Sequence, residues 1–168
     1  MAQATTQVDG DDERRSAVEL QLMTGNSRFE DARLAQESMF LMNRFGSLGS
    51  ALTNGYLRAC ELKVRHYCVL SLACEQQAPT QRELSDFLVL DPSQVVALVD
   101  YLEGMDLVRR AADPRDRRSK IIVPTDRGRQ ALKDAEAQVA AASDRLQSNL
   151  SESERAQLQG LLHKLAAS

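Results

Sequence analysis

A mainly α-helical chain with one small β-hairpin is what this sequence predicts. Three observations carry that reading. Apolar residues recur at threes, fours and sevens over most of the length, which is the spacing of one helix face. Helix-opening patterns recur at Thr80–Glu83, Asp91–Gln94 and Ser151–Glu154. The period changes only once, where two short β-prone runs flank a polar tip.

The chain has 168 residues, about one domain's worth. With 43% apolar and 27% charged residues and a net charge of −3, it has an ordinary globular composition and enough length to bury a core. Eight Gly and four Pro exclude collagen-like and linker-like chains. There is no Trp, and four Phe with three Tyr argue against a large aromatic-lined cofactor cavity, so no cofactor is expected. The opening MAQATTQVDGDDERR is polar and acidic, so neither a signal peptide nor a membrane span is expected. Cys60, Cys68 and Cys74 lie eight and six residues apart, which is neither a disulfide framework nor a zinc spacing. A reducing cytoplasm and no metal are therefore expected.

Residues 1 to about 15 carry Asp9, Asp11, Asp12 and Glu13 and little to bury, so they read as a disordered acidic tail. Val18–Leu22 is weakly apolar. From about Arg28, the residues Leu34, Leu41, Phe45, Leu48 and Leu52 form one helical stripe, which Asn54–Gly55 should stop. Gly46 and Gly49 weaken this helix unless another helix approaches them closely. A second helix fits Leu62–Gln77, with Tyr67, Leu70, Ala73 and Cys74 inward. A short helix capped by Thr80 and Glu83 then carries Leu84, Phe87 and Leu88. Asp91 caps the next helix, Pro92 suits its first position and Gln94 completes a second capping box. Its buried face is Val95, Leu98, Val99 and Leu102, and Gly104 is the stop. Leu107–Ala111 and Lys120–Pro124 form the hairpin around Asp113–Arg118. Thr125 caps a long helix with a seam of Leu132, Ala135, Val139, Ala142 and Leu146, and Ser151 caps a last helix with Leu158, Leu161, Leu162 and Leu165.

Two consecutive capped helices followed by a hairpin with a basic tip describe a winged helix-turn-helix. Charge distribution agrees. From Leu107 to Arg129 the cations Arg109, Arg110, Arg115, Arg117, Arg118, Lys120, Arg127 and Arg129 face only Asp113, Asp116 and Asp126. That segment is +5 and the remainder −8. Cations concentrated on one element of an acidic protein mark a polyanion surface.

These segments resemble the MarR (multiple antibiotic resistance regulator) family. The resemblance is carried by Leu84-Ser-Asp-Phe-Leu, by Asp91-Pro-Ser-Gln-Val-Val-Ala-Leu-Val-Asp-Tyr-Leu-Glu103, by Leu107-Val-Arg-Arg, by Asp113-Pro-Arg-Asp-Arg-Arg118 and by Pro124-Thr-Asp-Arg-Gly-Arg129. It spans roughly Leu34 to Leu165, and its most specific parts are the D-x-R-D-x-R wing and the T-x-x-G-R helix start. The resemblance implies a winged helix-turn-helix lobe plus a helical dimerisation region. The segments would be an acidic tail (1–17), N-terminal dimerisation helices (18–60), a DNA-binding lobe (61–124) and C-terminal dimerisation helices (125–168). It implies a ligand-responsive repressor that binds a pseudo-palindromic operator in double-stranded DNA as a homodimer. Leu34, Leu41, Leu146, Leu158, Leu161, Leu162 and Leu165 are available for pairing. The alternative is that the same stripes close a monomeric bundle.

On the helix after Pro92, the face opposite the core carries Ser93, Gln94, Val96, Ala97, Asp100 and Tyr101. Gln94 can make a bidentate contact with an adenine edge, and Val96 and Ala97 can pack on thymine methyls. Ser93 suits a phosphate. Burial in the lobe is the alternative for Val96. Ala97 departs from the family, which often carries Arg or another polar group there. Arg115 is expected at the wing tip, entering a narrow minor groove. Asp113 and Asp116 would hold its fork by charge-assisted hydrogen bonds. Arg117 and Arg118 would reach phosphates or hold the wing.

The family usually releases DNA on binding a small anionic or phenolic ligand, here expected to be an aromatic acid or a thioester made from one. Met39, Met42, Asn43, Arg65, His66 and Tyr67 are the candidate effector residues. The alternative is that His66 is a capping or exposed residue near the start of its helix and that Met39 and Met42 belong to the core. A thiol-based redox sensor is the rival mechanism, but Met39–Phe45 lacks the early-helix cysteine some family members use. Cys60, beside Glu61, should have a raised pKa. An enzyme is not expected, because His66 and His163 share no nucleophile–base spacing and no phosphate-cradling glycine loop exists. A winged-helix protein-interaction module without DNA binding is the alternative of another class, and the +5 segment argues against it.

Overall fold

The computed structural model describes residues 28–116 and 118–167. The expected tail, the weakly apolar stretch 18–22 and Arg117 lie outside the described residues. The helices are α1 Ser38–Leu57, α2 Val64–Ala73, α3 Gln81–Leu88, α4 Pro92–Gly104, α5 Asp126–Leu146 and α6 Glu152–Ala166. Short 3-10 turns at Arg33–Gln36 and Arg58–Cys60 precede and follow α1. Strands β1 Val108–Ala112 and β2 Lys120–Pro124 pair antiparallel, with Arg110 opposite Ile122. The fold is mainly helical with one hairpin wing, as the sequence pattern predicts.

The chain divides into two compact units. One takes its described residues from 28–55 and 140–167, and the other is Tyr56–Val139. The second unit holds a continuous core. Leu57, Leu62, Val69, Leu70, Leu84, Val95, Val99, Leu102, Leu107, Val108, Ile122 and Ala135 are all buried in it. Leu70, Leu84, Val95, Val99, Leu102 and Ala135 are expected from the helical spacing, and the core adds Leu57, Leu62 and Val69 and one face of the hairpin. The edge of β2 is extended by a bridge between Thr80 and Ile121, and the Ile122 N–H donates to the Pro79 carbonyl at 2.8 Å.

In the first unit, Leu52 and Ala142 are buried. A Cβ added at Gly49 would stand 3.2 Å from Leu146 Cδ2, so the expected close approach exists at Gly49. At Gly46 nothing lies within 4 Å. Ser151 caps α6 reciprocally with Glu154, and Arg155 pairs with Asp144 at 2.9 Å.

Several boundaries differ from expectation. The first long helix starts later, at Ser38, and runs through Asn54–Gly55 to Leu57. Burial of Leu52 and Leu57 outweighs the local stop signal. The chain turns instead at Glu61, which takes a left-handed φ of 56°. α2 is shorter than 62–77 because its start is set at Lys63 and Cys74 ends it. The second capping box is absent: Asp91 accepts from the Ser93 N–H at 2.8 Å, and Gln94 takes no part.

Candidate nucleic-acid interface

The helix-turn-helix step is held by hydrogen bonds within four or five residues. Thr80 Oγ1 accepts from the Glu83 N–H, and Glu83 Oε2 accepts from the Thr80 N–H at 2.7 Å. The Thr80 backbone N–H and then its hydroxyl, which donates to Glu83 Oε2 at 2.8 Å, hold the Glu83 carboxyl below the usual carboxylate range. At the other end of α3, Val89 adopts a left-handed conformation with φ 52°. The Leu90 N–H then donates to the Ser85 carbonyl, and Ser85 Oγ donates to the Leu90 carbonyl at 2.6 Å. This turn aims α4.

On α4, Val95, Val99 and Leu102 are fully buried, while Ser93, Gln94, Val96, Ala97 and Asp100 are exposed. Val96 is 42% exposed, so burial in the lobe is not its fate in the single chain. Phe87 on α3 is 73% exposed. Tyr101 is committed elsewhere: its hydroxyl donates to the Glu61 carbonyl at 2.8 Å. Its ring stacks on His66 with centroids 4.2 Å apart and planes 6° from parallel. His66 Nδ1 in turn accepts from the Lys63 N–H at 3.2 Å, capping α2. Burial, with Lys63 adding to it, pushes the His66 pKa down.

Asp100 also has a partner the sequence reading missed. Arg110 Nη2 reaches Asp100 at 2.6 Å, and Arg110 Nη1 pairs with Glu103. Arg110 Nε donates to Gln81 Oε1 at 3.1 Å, and its backbone N–H donates to Glu103 Oε1 at 3.1 Å. One guanidinium thus joins α3, α4 and β1. Arg110 therefore leaves the set of cations open to solvent, while Arg109, Arg118, Lys120, Arg127 and Arg129 are exposed.

The wing tip is organised by its two aspartates, in different ways. Asp113 is only 3% exposed and accepts from the Arg115 N–H at 2.8 Å and from Arg115 Nε and Nη2. These bonds, side chain first and backbone next, hold its carboxyl well below the usual range. Arg115 Nη2 also lies 3.8 Å from Glu83 Oε1, so the fork is folded toward α3. Asp116 does not hold the fork. It accepts from the Arg118 N–H and from the Ser119 hydroxyl, each at 3.0 Å, and so closes the turn between the strands.

The remaining candidates fall in both units. In the first, Met39, Met42, Asn43, Leu34, Leu41, Leu161, Leu162 and Leu165 are exposed, and Leu146 and Leu158 are half-buried. In the second, Arg65 is exposed and Tyr67 half-buried. Burial raises the pKa of Cys60, Cys68 and Cys74; at Cys60 the added push comes from Asp134, not from the neighbouring Glu61. Among the described residues, no helix is long and apolar enough to cross a membrane and no group of His, Cys, Asp or Glu is arranged to hold a metal.

Comparison with known proteins agrees with this geometry. A sequence model of the MarR family matches residues 62–120. A transcriptional regulator (MarR family) from Rhodococcus sp. RHA1 is 39% identical, with a TM-score of 0.76 over 81% of this chain and 96% of that one. CouR from Rhodococcus jostii RHA1, bound to p-coumaroyl-CoA, is likewise 39% identical, with a TM-score of 0.73 over 81% of this chain and 96% of its own. A transcriptional repressor CouR bound to a 23-mer DNA duplex is 27% identical, with a TM-score of 0.75 over 84% of this chain and 99% of that one. No curated protein matches the chain.

Proposed function

The chain belongs to the MarR family of transcriptional regulators, and from that premise we propose that it is a cytoplasmic, non-enzymatic repressor that pairs with a second copy, binds a pseudo-palindromic operator and releases it on binding a small effector. The observation that carries this reading is the exposed face of α4 beside an arginine-bearing wing, on one rigidly cored unit. A helix enters the major groove with such a face, and Gln94 has the amide geometry for an adenine edge. Ser93, Val96 and Ala97 supply phosphate and methyl contacts. Arg115, Arg117 and Arg118 supply the wing contacts, with Asp113 and Asp116 setting the wing's shape. Asp100 contributes through Arg110 rather than through a base.

Pairing is supported by the first unit. Large apolar side chains of α1 and α6, among them Leu41, Phe45, Leu161, Leu162 and Leu165, stand in water in the single chain. A row of this kind is the signature of an interface rather than of a surface. Residues 18–60 and 125–168 are the segments assigned to it.

The effector is an aromatic acid or its thioester. What supports this class is the 39% identity to a protein bound to p-coumaroyl-CoA. The candidate residues for it are Met39, Met42, Asn43, Arg65, Tyr67 and His66, whose Nδ1 already caps α2. The decisive experiment is a gel shift on the DNA upstream of the chain's own reading frame. It would be run across salt concentrations and repeated with aromatic acids and their CoA thioesters. Binding with a steep salt slope, reversed by one of these compounds, is expected. No binding at low salt would leave the interaction-module reading in place instead.

A further inference from the structure

We propose that Arg110 is a positioning residue for DNA recognition: it sets the wing at a fixed angle to α4 and contacts no nucleic acid itself. The inference rests on the DNA-binding reading above and adds to it the part that makes two separate readers act as one.

α4 and the hairpin are joined by a short turn through Met105–Leu107, with Asp106 in a left-handed conformation at φ 56°. Burial of Leu107, Val108 and Ile122, with the hydrogen bond from Ile122 to Pro79, seats the hairpin on the core. Four hydrogen-bonded contacts converging on Arg110 add a polar tie that fixes the angle of β1 to α4: Gln81 on α3, Asp100 and Glu103 on α4, and Glu103 again from the backbone N–H. The planar guanidinium is suited to this. Its donors point in fixed directions, so three partners on two helices define its plane and with it the position of β1. The pairing also offsets one of the two negative charges of Asp100 and Glu103, carboxylates on the element that would otherwise repel a phosphate backbone more strongly. The hydrogen bonds to Asp100 and Glu103 outweigh burial and raise the Arg110 pKa, so the clamp stays charged throughout the physiological range. With its fork engaged on the α4 side, Arg110 has no spare orientation for a phosphate, unlike its exposed neighbour Arg109.

The test uses the full chain with Arg110→Met and Arg110→Lys, read by operator affinity, affinity for an unrelated duplex and the slope of log K against log salt. Both variants are expected to lose more than tenfold in operator affinity. Affinity for the unrelated duplex should change about twofold at most, with the salt slope unaltered. Lys retains the charge but cannot span three partners, so recovery of wild-type affinity by Arg110→Lys would overturn the proposal. So would a fall of about one unit in the salt slope for Arg110→Met, the mark of a lost phosphate contact. The double variant Asp100→Asn, Glu103→Gln leaves Arg110 in place, and it too should lose operator affinity; unchanged or tighter binding would count against the clamp. Amide hydrogen exchange at Arg110 gives a readout without DNA. In Glu103→Ala it should accelerate at least tenfold at unchanged global stability, and an unchanged rate would refute the clamp. If the wild-type chain binds no DNA, the functional reading fails while this exchange measurement still decides the clamp.

Discussion

Gly128 lies against the carbonyl of Leu107 so closely that a Cβ built on it would stand 1.9 Å from that oxygen and 2.9 Å from its carbon. The contact joins the first turn of α5 to the start of the hairpin. Thr125 completes it: its hydroxyl donates to the Asp106 carbonyl at 2.7 Å and accepts from the Gly128 N–H at 2.9 Å, while its own N–H donates to Leu107 at 3.0 Å. The T-x-x-G helix start is therefore a packing requirement. Only a residue without a side chain lets α5 begin where the wing's first strand leaves α4. Gly128→Ala is expected to destabilise the protein by about 3 kcal/mol or more, since the obstacle is backbone that cannot rotate away. Chemical denaturation measures this, and a midpoint equal to that of the parent would show that α5 shifts freely.

Val89 makes the opposite case. It is 89% exposed and held at φ 52°, a conformation that strains a β-branched residue. Val89→Gly should stabilise the chain by about 0.5–1 kcal/mol, relief of strain exceeding the added chain entropy of glycine. Thermal melting checks it, and a lower midpoint would mean that the side chain makes a contact of its own.

His66 gives the stability a pH dependence of known sign. Its folded-state pKa is depressed, chiefly by burial, so the unfolded chain takes up protons first as pH falls. The contribution is complete above the ordinary imidazole pKa of about 6.5 and is lost below it. Protonation also removes the Nδ1 lone pair that accepts from Lys63. Glu83 and Asp113, whose carboxyls are held low, stay ionised through this window and lose their part only near pH 4 or below, about the ordinary carboxylate range. Denaturation midpoints at pH 7.5 and pH 5.5, on the wild type and on His66→Asn, are the measurement (pH values about one unit either side of the imidazole pKa). The wild type should fall more than the variant, and parallel curves would remove His66 as the cause.

Arg115→Ala is expected to lower operator affinity more than tenfold, with a shallower salt slope, because a guanidinium in a narrow minor groove is lost. In the unbound chain that guanidinium rests on Asp113 and near Glu83. Unchanged binding at physiological salt would remove the assignment.

Leu161→Glu combined with Leu165→Glu should convert the proposed dimer to monomers while leaving the Tyr56–Val139 unit folded. Both side chains are exposed in the single chain, and charge there cannot be buried against a partner. Sedimentation gives the mass and circular dichroism the folding. A variant that still sediments as a dimer would move the interface away from α6.

Features that depend on residues a few positions apart were legible in advance. The caps at Thr80 and Ser151, the buried spacing Val95–Val99–Leu102 and the change of period at the hairpin each arise from chain geometry over one or two turns. Asp113 as the partner of Arg115 belongs to the same class, since the two lie within one tight turn. Spacing does not choose the donors of Asp116, because a turn of this length offers several at similar range and the backbone path selects Arg118 and Ser119.

The clamp at Arg110 was not legible at all. Its partners Gln81, Asp100 and Glu103 lie 29, 10 and 7 residues away, on two helices whose crossing no local pattern specifies. The same holds for the stack of His66 on Tyr101 and for the fit of Gly128 on Leu107. Linear order settles which segments coil, which residues cap them and which charges they carry, because those outcomes follow from neighbours along the backbone. Which of those charges meets another, and which is left facing water, follows from the packing of buried side chains between helices and hairpin, and that arrangement exists only once the core has closed.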